Sequence, residues 1–160
     1  MYLHLFIVVC TNECIFAPVK QCESKYCHCA YFSVTALSRK VTRLAEMCRK
    51  PSGLSPSLGY LLLAVLDDPG VQPGVLSKQL QLAPSTISRL MEKLEQKKLL
   101  LRTGDGKLTN VYPTPRGKQL YIQLSDCRKN FHEQFSAILG EAESNKLVAE
   151  LNHAASQLEG

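Results

Sequence analysis

Apolar residues recur at Cys27, Ala30, Val34, Leu37, Val41, Leu44 and Cys48, in steps of three or four. A repeat of 3.5 held over three heptads predicts one long helix with a narrow apolar seam, placed within residues 26–50. Arg39, Lys40, Arg43 and Glu46 take the other side. "RKPSGLSPS" interrupts the pattern, and Ser55 followed by Pro56 reads as an N-cap and first helical position. In the helix they open, Leu58, Leu61, Leu62, Val65 and Leu66 face inward, until "DDPG" turns the chain. Pro73 starts a helix of barely two turns with Val75, Leu76 and Leu80 inside. After the tight turn "QLAP", a further helix from Pro84 buries Ile87, Leu90, Met91 and Leu94 and leaves Ser85, Thr86, Ser88, Arg89, Lys93 and Gln96 on its free side.

Beyond Leu99 the period shortens. "LLLRT", "GDGK" and "LTNVYPT" read as a hairpin with its turn at Asp-Gly, and Pro113 restricts the second run to an edge strand. Thr114 then caps one helix whose inner face runs through Leu120, Tyr121, Leu124, Cys127, Phe131, Phe135, Ile138 and Leu139 to a stop at Gly140. A last helix, Glu141 to Leu158, puts Leu147, Val148, Leu151, Ala154, Ala155 and Leu158 on one side. The expected fold is mainly α with a two-stranded β-wing: a winged helix-turn-helix over 51–118, between helices at 26–50 and 119–160. The two terminal stripes exceed what a winged helix needs to cover itself, so both are expected to meet a second copy in a homodimer.

Charge gives this architecture a polarity. Residues 77–118 hold nine Lys or Arg against three acids, whereas 119–160 carry three basic and six acidic side chains. A basic middle third on a nearly neutral body predicts a polyanionic partner, and the pattern on the helix from Pro84 makes that partner double-stranded DNA. Ser85, Thr86 and Ser88 offer hydroxyls to phosphates or base edges, and Arg89 is placed to bind guanine through two hydrogen bonds. Lys93, Lys97, Lys98, Arg102, Lys107 and Arg116 would neutralise backbone phosphates. No Gly-rich phosphate loop, paired-carboxylate spacing or Ser-His-Asp arrangement is visible, so no enzyme and no cofactor is expected.

"LSKQLQLAPSTISRLMEKLEQKKLL", "GDGK" and "YPTPRGKQL" resemble the MarR (multiple antibiotic resistance regulator) family over about residues 26–158. The resemblance implies a subunit that dimerises through its first and last helices, binds pseudo-palindromic operators as a transcriptional regulator, commonly a repressor, and responds to a small ligand or an oxidant. It also implies a ligand pocket between the dimer helices and the winged helix, for which Tyr26, Tyr31, Phe32, Arg39 and Tyr60 are the lining candidates. Many members carry Asp-x-Arg in a longer wing; here Asp105, Gly106 and Lys107 stand in a shorter one, which predicts a weaker reader of minor-groove width.

Six of the seven cysteines lie in the first 48 residues, an odd and uneven set unlike a disulfide scaffold. Residues 1–25 read as a poorly ordered leader, too short in its apolar run to span a bilayer, which points to a cytoplasmic protein with no membrane partner. Cys22, Cys27 and Cys29 are candidate redox sensors. Cys22, Cys27, His28 and Cys29 form an alternative metal set, which would make this a metal-responsive regulator. Another alternative is a winged-helix adaptor that binds protein rather than DNA, though its free face would then carry apolar anchors instead of hydroxyls and cations.

Overall fold

The computed structural model describes residues 24–105 and 108–158, and the leader at 1–23 lies outside them. The chain divides into two units, 1–37 and 38–160. In the first, a turn closed by Cys27 N–H to Ser24 O (3.2 Å) and Cys29 N–H to Tyr26 O (2.9 Å) leads into helix α1, Ala30–Arg49. The helix starts three residues later than the seam suggested. Cys27 sits in the turn, where its carbonyl accepts from Ser33 Oγ at 3.2 Å and so spends the heptad's first position on helix entry.

In the second unit α1 ends in a short 3-10 turn, Lys50–Ser52, and Gly53 takes the left-handed conformation (φ +64°) that stops it. Helix α2, Pro56–Asp67, is apolar almost all round and forms the centre of the core: Leu58 and Leu61 through Val65 are buried. Helix α3, Pro73–Gln79, and helix α4, Pro84–Gln96, close over it, burying Leu76, Ile87, Met91 and Leu94. Leu66, Leu80 and Leu90 pack at the edge of this core. Val75, expected inside, is 50% exposed, because a helix of seven residues presents only one turn to the core and Leu76 takes it.

The turn between α3 and α4 is pinned. Gln81 adopts a left-handed φ of +52°, Leu82 N–H donates to Ser77 O at 3.0 Å, and Ser77 Oγ donates to Leu82 O at 2.5 Å. Strands β1, Leu100–Asp105, and β2, Leu108–Pro113, pair antiparallel from Leu100↔Pro113 to Asp105↔Leu108. The strands therefore extend through Gly104 and Asp105, which the sequence had assigned to the loop, and only 106–107 connect them. On its other side β2 bridges to Val71, with Gly70 N–H to Val111 O at 2.8 Å and Val111 N–H to Val71 O at 3.1 Å. This single-residue third strand, with no alternation to betray it, ties the wing to the core.

The helix expected from Thr114 to Leu139 is two: α5, Pro115–Gln119, and α6, Tyr121–Leu139. Thr114 caps α5 by accepting from Gly117 N–H at 3.0 Å while its hydroxyl donates to Lys98 O at 2.8 Å. Gly117 lies so close to the turn that follows α4 that a Cβ there would overlap the Leu99 carbonyl. Holding α5 against the core tightens the chain at Leu120, whose N–H reaches Gly117 O at 3.1 Å. Along α6, Leu124 and Cys127 are buried and Phe131 and Phe135 half-buried, their rings stacked 5.7 Å apart. Tyr121, Ile138 (69%) and Leu139, predicted inside, are exposed. Helix α7, Glu141–Leu158, follows Gly140 (φ +88°) and leaves Val148, Leu151 and Leu158 (86%) uncovered. No helix among the described residues is long and apolar enough to cross a membrane.

Candidate nucleic-acid interface

Helix α4 projects from the core with its apolar stripe sealed and its polar stripe outward. Ser85, Thr86, Arg89 and Lys93 are exposed, all on the side opposite Ile87, Met91 and Leu94. Ala83 occupies the N-cap and makes no side-chain cap; Thr86 N–H donates to Ala83 O at 2.9 Å, and Ser85 N–H is left at the positive end of the helix dipole. Pro84 at the first position gives up no hydrogen bond by lacking its own N–H. Ser88 is half-buried and its hydroxyl donates to Pro84 O at 3.0 Å, which leaves it an acceptor towards any ligand. Arg89 makes no ion pair among the described residues.

Arg102 is engaged within the chain. From β1 it grips Glu95 of α4 with two hydrogen bonds, Nε to Oε1 at 3.0 Å and Nη2 to Oε2 at 2.5 Å. The Glu95 carboxylate, through that bond and its charge, holds the guanidinium above its ordinary range. The pair braces wing against helix, and Arg102 serves this contact rather than presenting an unpaired charge. Sequence spacing missed it because the partners lie on different elements. Arg116 is exposed and, with Lys97, Lys98 and Gln96, lines a cleft of about 510 Å³ at the C-terminal end of α4. Lys107 lies outside the described residues.

The remaining candidates divide between the two units. Tyr26, Tyr31 and Phe32 belong to the first, where Tyr26 and Phe32 meet with ring centroids 5.8 Å apart and Tyr31 is exposed. Arg39 and Tyr60 belong to the second. Tyr60 lines a cavity of about 290 Å³ with Ser57 and the α3–α4 turn residues Gln79 to Leu82. Its ring is covered by Arg49, 4.5 Å from the centroid and only 3% exposed, with Nη1 lacking a hydrogen-bond partner. Arg49 fills the space left by Gly59 and was not legible as a functional residue, since it lies in the last turn of α1 where a cation complements the dipole.

Of the proposed thiols, Cys22 lies outside the described residues, Cys27 is half-buried and disulfide-bonded, and Cys29 is an exposed free thiol next to exposed His28. No group of three or more His, Cys, Asp or Glu side chains among the described residues is placed to hold a metal. Two other free thiols, Cys48 and Cys127, are buried and lie near one another: burial first, and then the neighbouring Cys127 charge, push the Cys48 thiol up.

No family model matches the sequence. A mutant of E. coli MarR complexed with operator DNA superposes with a TM-score of 0.72 at 17% identity, covering 82% of this chain and 98% of that one. The chain has the MarR fold. Curated proteins similar in sequence are transcriptional regulators. One is a regulatory protein assigned to the hcr operon of Thauera aromatica, 26% identical over 109 residues; the match spans 66% of each chain, just under two thirds of that relative's length. Another is the HTH-type transcriptional regulator SarZ of Staphylococcus epidermidis, 27% identical over 134 residues, with 82% of this chain and 86% of the relative covered. In this MarR fold the exposed stripe of α4 is the second helix of the helix-turn-helix and the β1–β2 ribbon is the wing.

Proposed function

We propose that this chain is a MarR-family transcriptional regulator, a homodimer that binds double-stranded DNA at a pseudo-palindromic operator, acts as a repressor in the cytoplasm, and is released by a small ligand or by thiol chemistry. The observation that carries the reading is the outward stripe of α4: Ser85, Thr86, Arg89 and Lys93 exposed from a helix N-terminus with no side-chain cap, behind which Ile87, Met91 and Leu94 are buried. Arg89 reads a base, the hydroxyls and the Ser85 N–H take phosphates, and Lys93, Arg116 and Lys107 supply affinity without sequence choice. Ser88 contributes as an acceptor, and Arg102 through its hold on Glu95. The uncovered faces of α6 and α7 support the dimer, which would set two recognition helices about 34–36 Å apart on one side of a duplex. The division into 26–50, 51–118 and 119–160 follows from the same reading. The operator-bound MarR neighbour and the regulator SarZ support the DNA partner.

Fluorescence anisotropy on labelled duplex across a salt series tests it. Affinity is expected to fall with a log-log slope of several units, roughly 0.9 per phosphate neutralised. Affinity indifferent to salt, or absent at low salt, would refute DNA binding.

A further inference from the structure

Cys48, in the last turn of α1, and Cys127, in the middle of α6, are 3% and 5% exposed and both line one cleft of about 250 Å³. Pro51, Gln123, Asp126 and Asn130 complete its walls, which are fixed across the gap by Gln123 Nε2 donating to Pro51 O at 3.1 Å. Both sulfurs are free thiols. Among the described residues no Lys, Arg or His lines the cleft to ready a thiol for attack on a peroxide, while the Asp126 carboxylate at its edge attracts cations.

We propose that Cys48 and Cys127 form a two-thiolate site for a soft divalent metal ion of the mercuric class. Two sulfurs from separate helices satisfy an ion that favours two-coordinate thiolate ligation, whereas a four-coordinate structural zinc site needs more ligands than the cleft offers. On binding, each thiol releases its proton to solvent and each sulfur forms one bond to the metal. Two thiolates on a divalent ion give a neutral complex, the product a buried cleft tolerates; a monovalent ion would leave a net negative charge beside Asp126. The bound ion would tie the helix that leads into α2 to the helix that continues from α5, on either side of the winged helix. The site does not depend on the DNA-binding reading, and its test uses no DNA.

The experiment takes the full chain with Cys10, Cys14, Cys22, Cys27 and Cys29 changed to Ser, leaving two thiols, and titrates it with Hg(II). One ion per chain is expected, with two protons released, a sulfur-to-metal absorption band in the ultraviolet, and both Cys48 and Cys127 shielded from alkylation. Adding Cys127→Ser should weaken binding at least 100-fold. Unmodified protein, alkylated with and without Hg(II) and mapped by mass spectrometry, gives the same reading without reliance on the folding of variants: shielding of Cys48 and Cys127 together supports the site. Shielding confined to other cysteines, or one metal bridging two chains, overturns it.

Discussion

The segment from α2 to β2 and the pair α6–α7 carry similar shares of apolar residues and use them to opposite ends. Leu61, Leu62, Val65, Leu76, Ile87, Leu94 and Val111 are sealed within the chain, whereas Ile138, Val148, Leu151 and Leu158 are exposed on helices of 19 and 18 residues. A short segment folds back on itself through the Val71 bridge, the Ser77 turn and the Thr114 cap. The terminal helices leave Ile138, Val148, Leu151 and Leu158 uncovered, and on the reading proposed above a second copy would meet them. The proposed function would use the first as a self-contained reading head and the second as an arm that sets the distance to another head.

Substitutions sharpen this contrast. Leu62→Ala, at the centre of the sealed core, should cost about 2–5 kcal/mol in denaturant unfolding. Gly117→Ala should cost about 1–3 kcal/mol, because the new Cβ meets the Leu99 carbonyl and α5 must move away from the turn that follows α4; an unchanged midpoint would mean that the close approach carries no weight. Arg89→Ala should lose about 1–3 kcal/mol on the cognate operator and little on random duplex, and equal losses on both would end its role as a base reader. Leu151→Asp on α7 should leave the fold of a subunit within about 0.5 kcal/mol yet shift the mass in sedimentation from dimer to monomer. A large loss of subunit stability would place that face inside one chain instead.

Two smaller effects test the edges of the core. Glu95→Gln, which loosens the grip on Arg102, should cost less than about 1 kcal/mol, since both side chains retain solvent contact. Cys48 holds its proton to higher pH in the folded chain than when unfolded, so unfolding releases a proton there; stability should decline as pH climbs through the alkaline thiol range, and Cys48→Ala should flatten that decline.

Local signals carried the order of the elements up to β2, the helix starts at Pro56, Pro73, Pro84 and Thr114, and the polar stripe of α4, because each is written in residues a few positions apart on one element. The same local rules placed Val75, Tyr121 and Ile138 inside, since a stripe shows which side of a helix is apolar and says nothing of what lies opposite. The Val71 bridge, the Glu95–Arg102 brace, the Arg49 stack on Tyr60 and the meeting of Cys48 with Cys127 join residues seven to seventy-nine positions apart. Such contacts depend on how the helices pack, which chain order does not encode locally, and only the tertiary structure decided them.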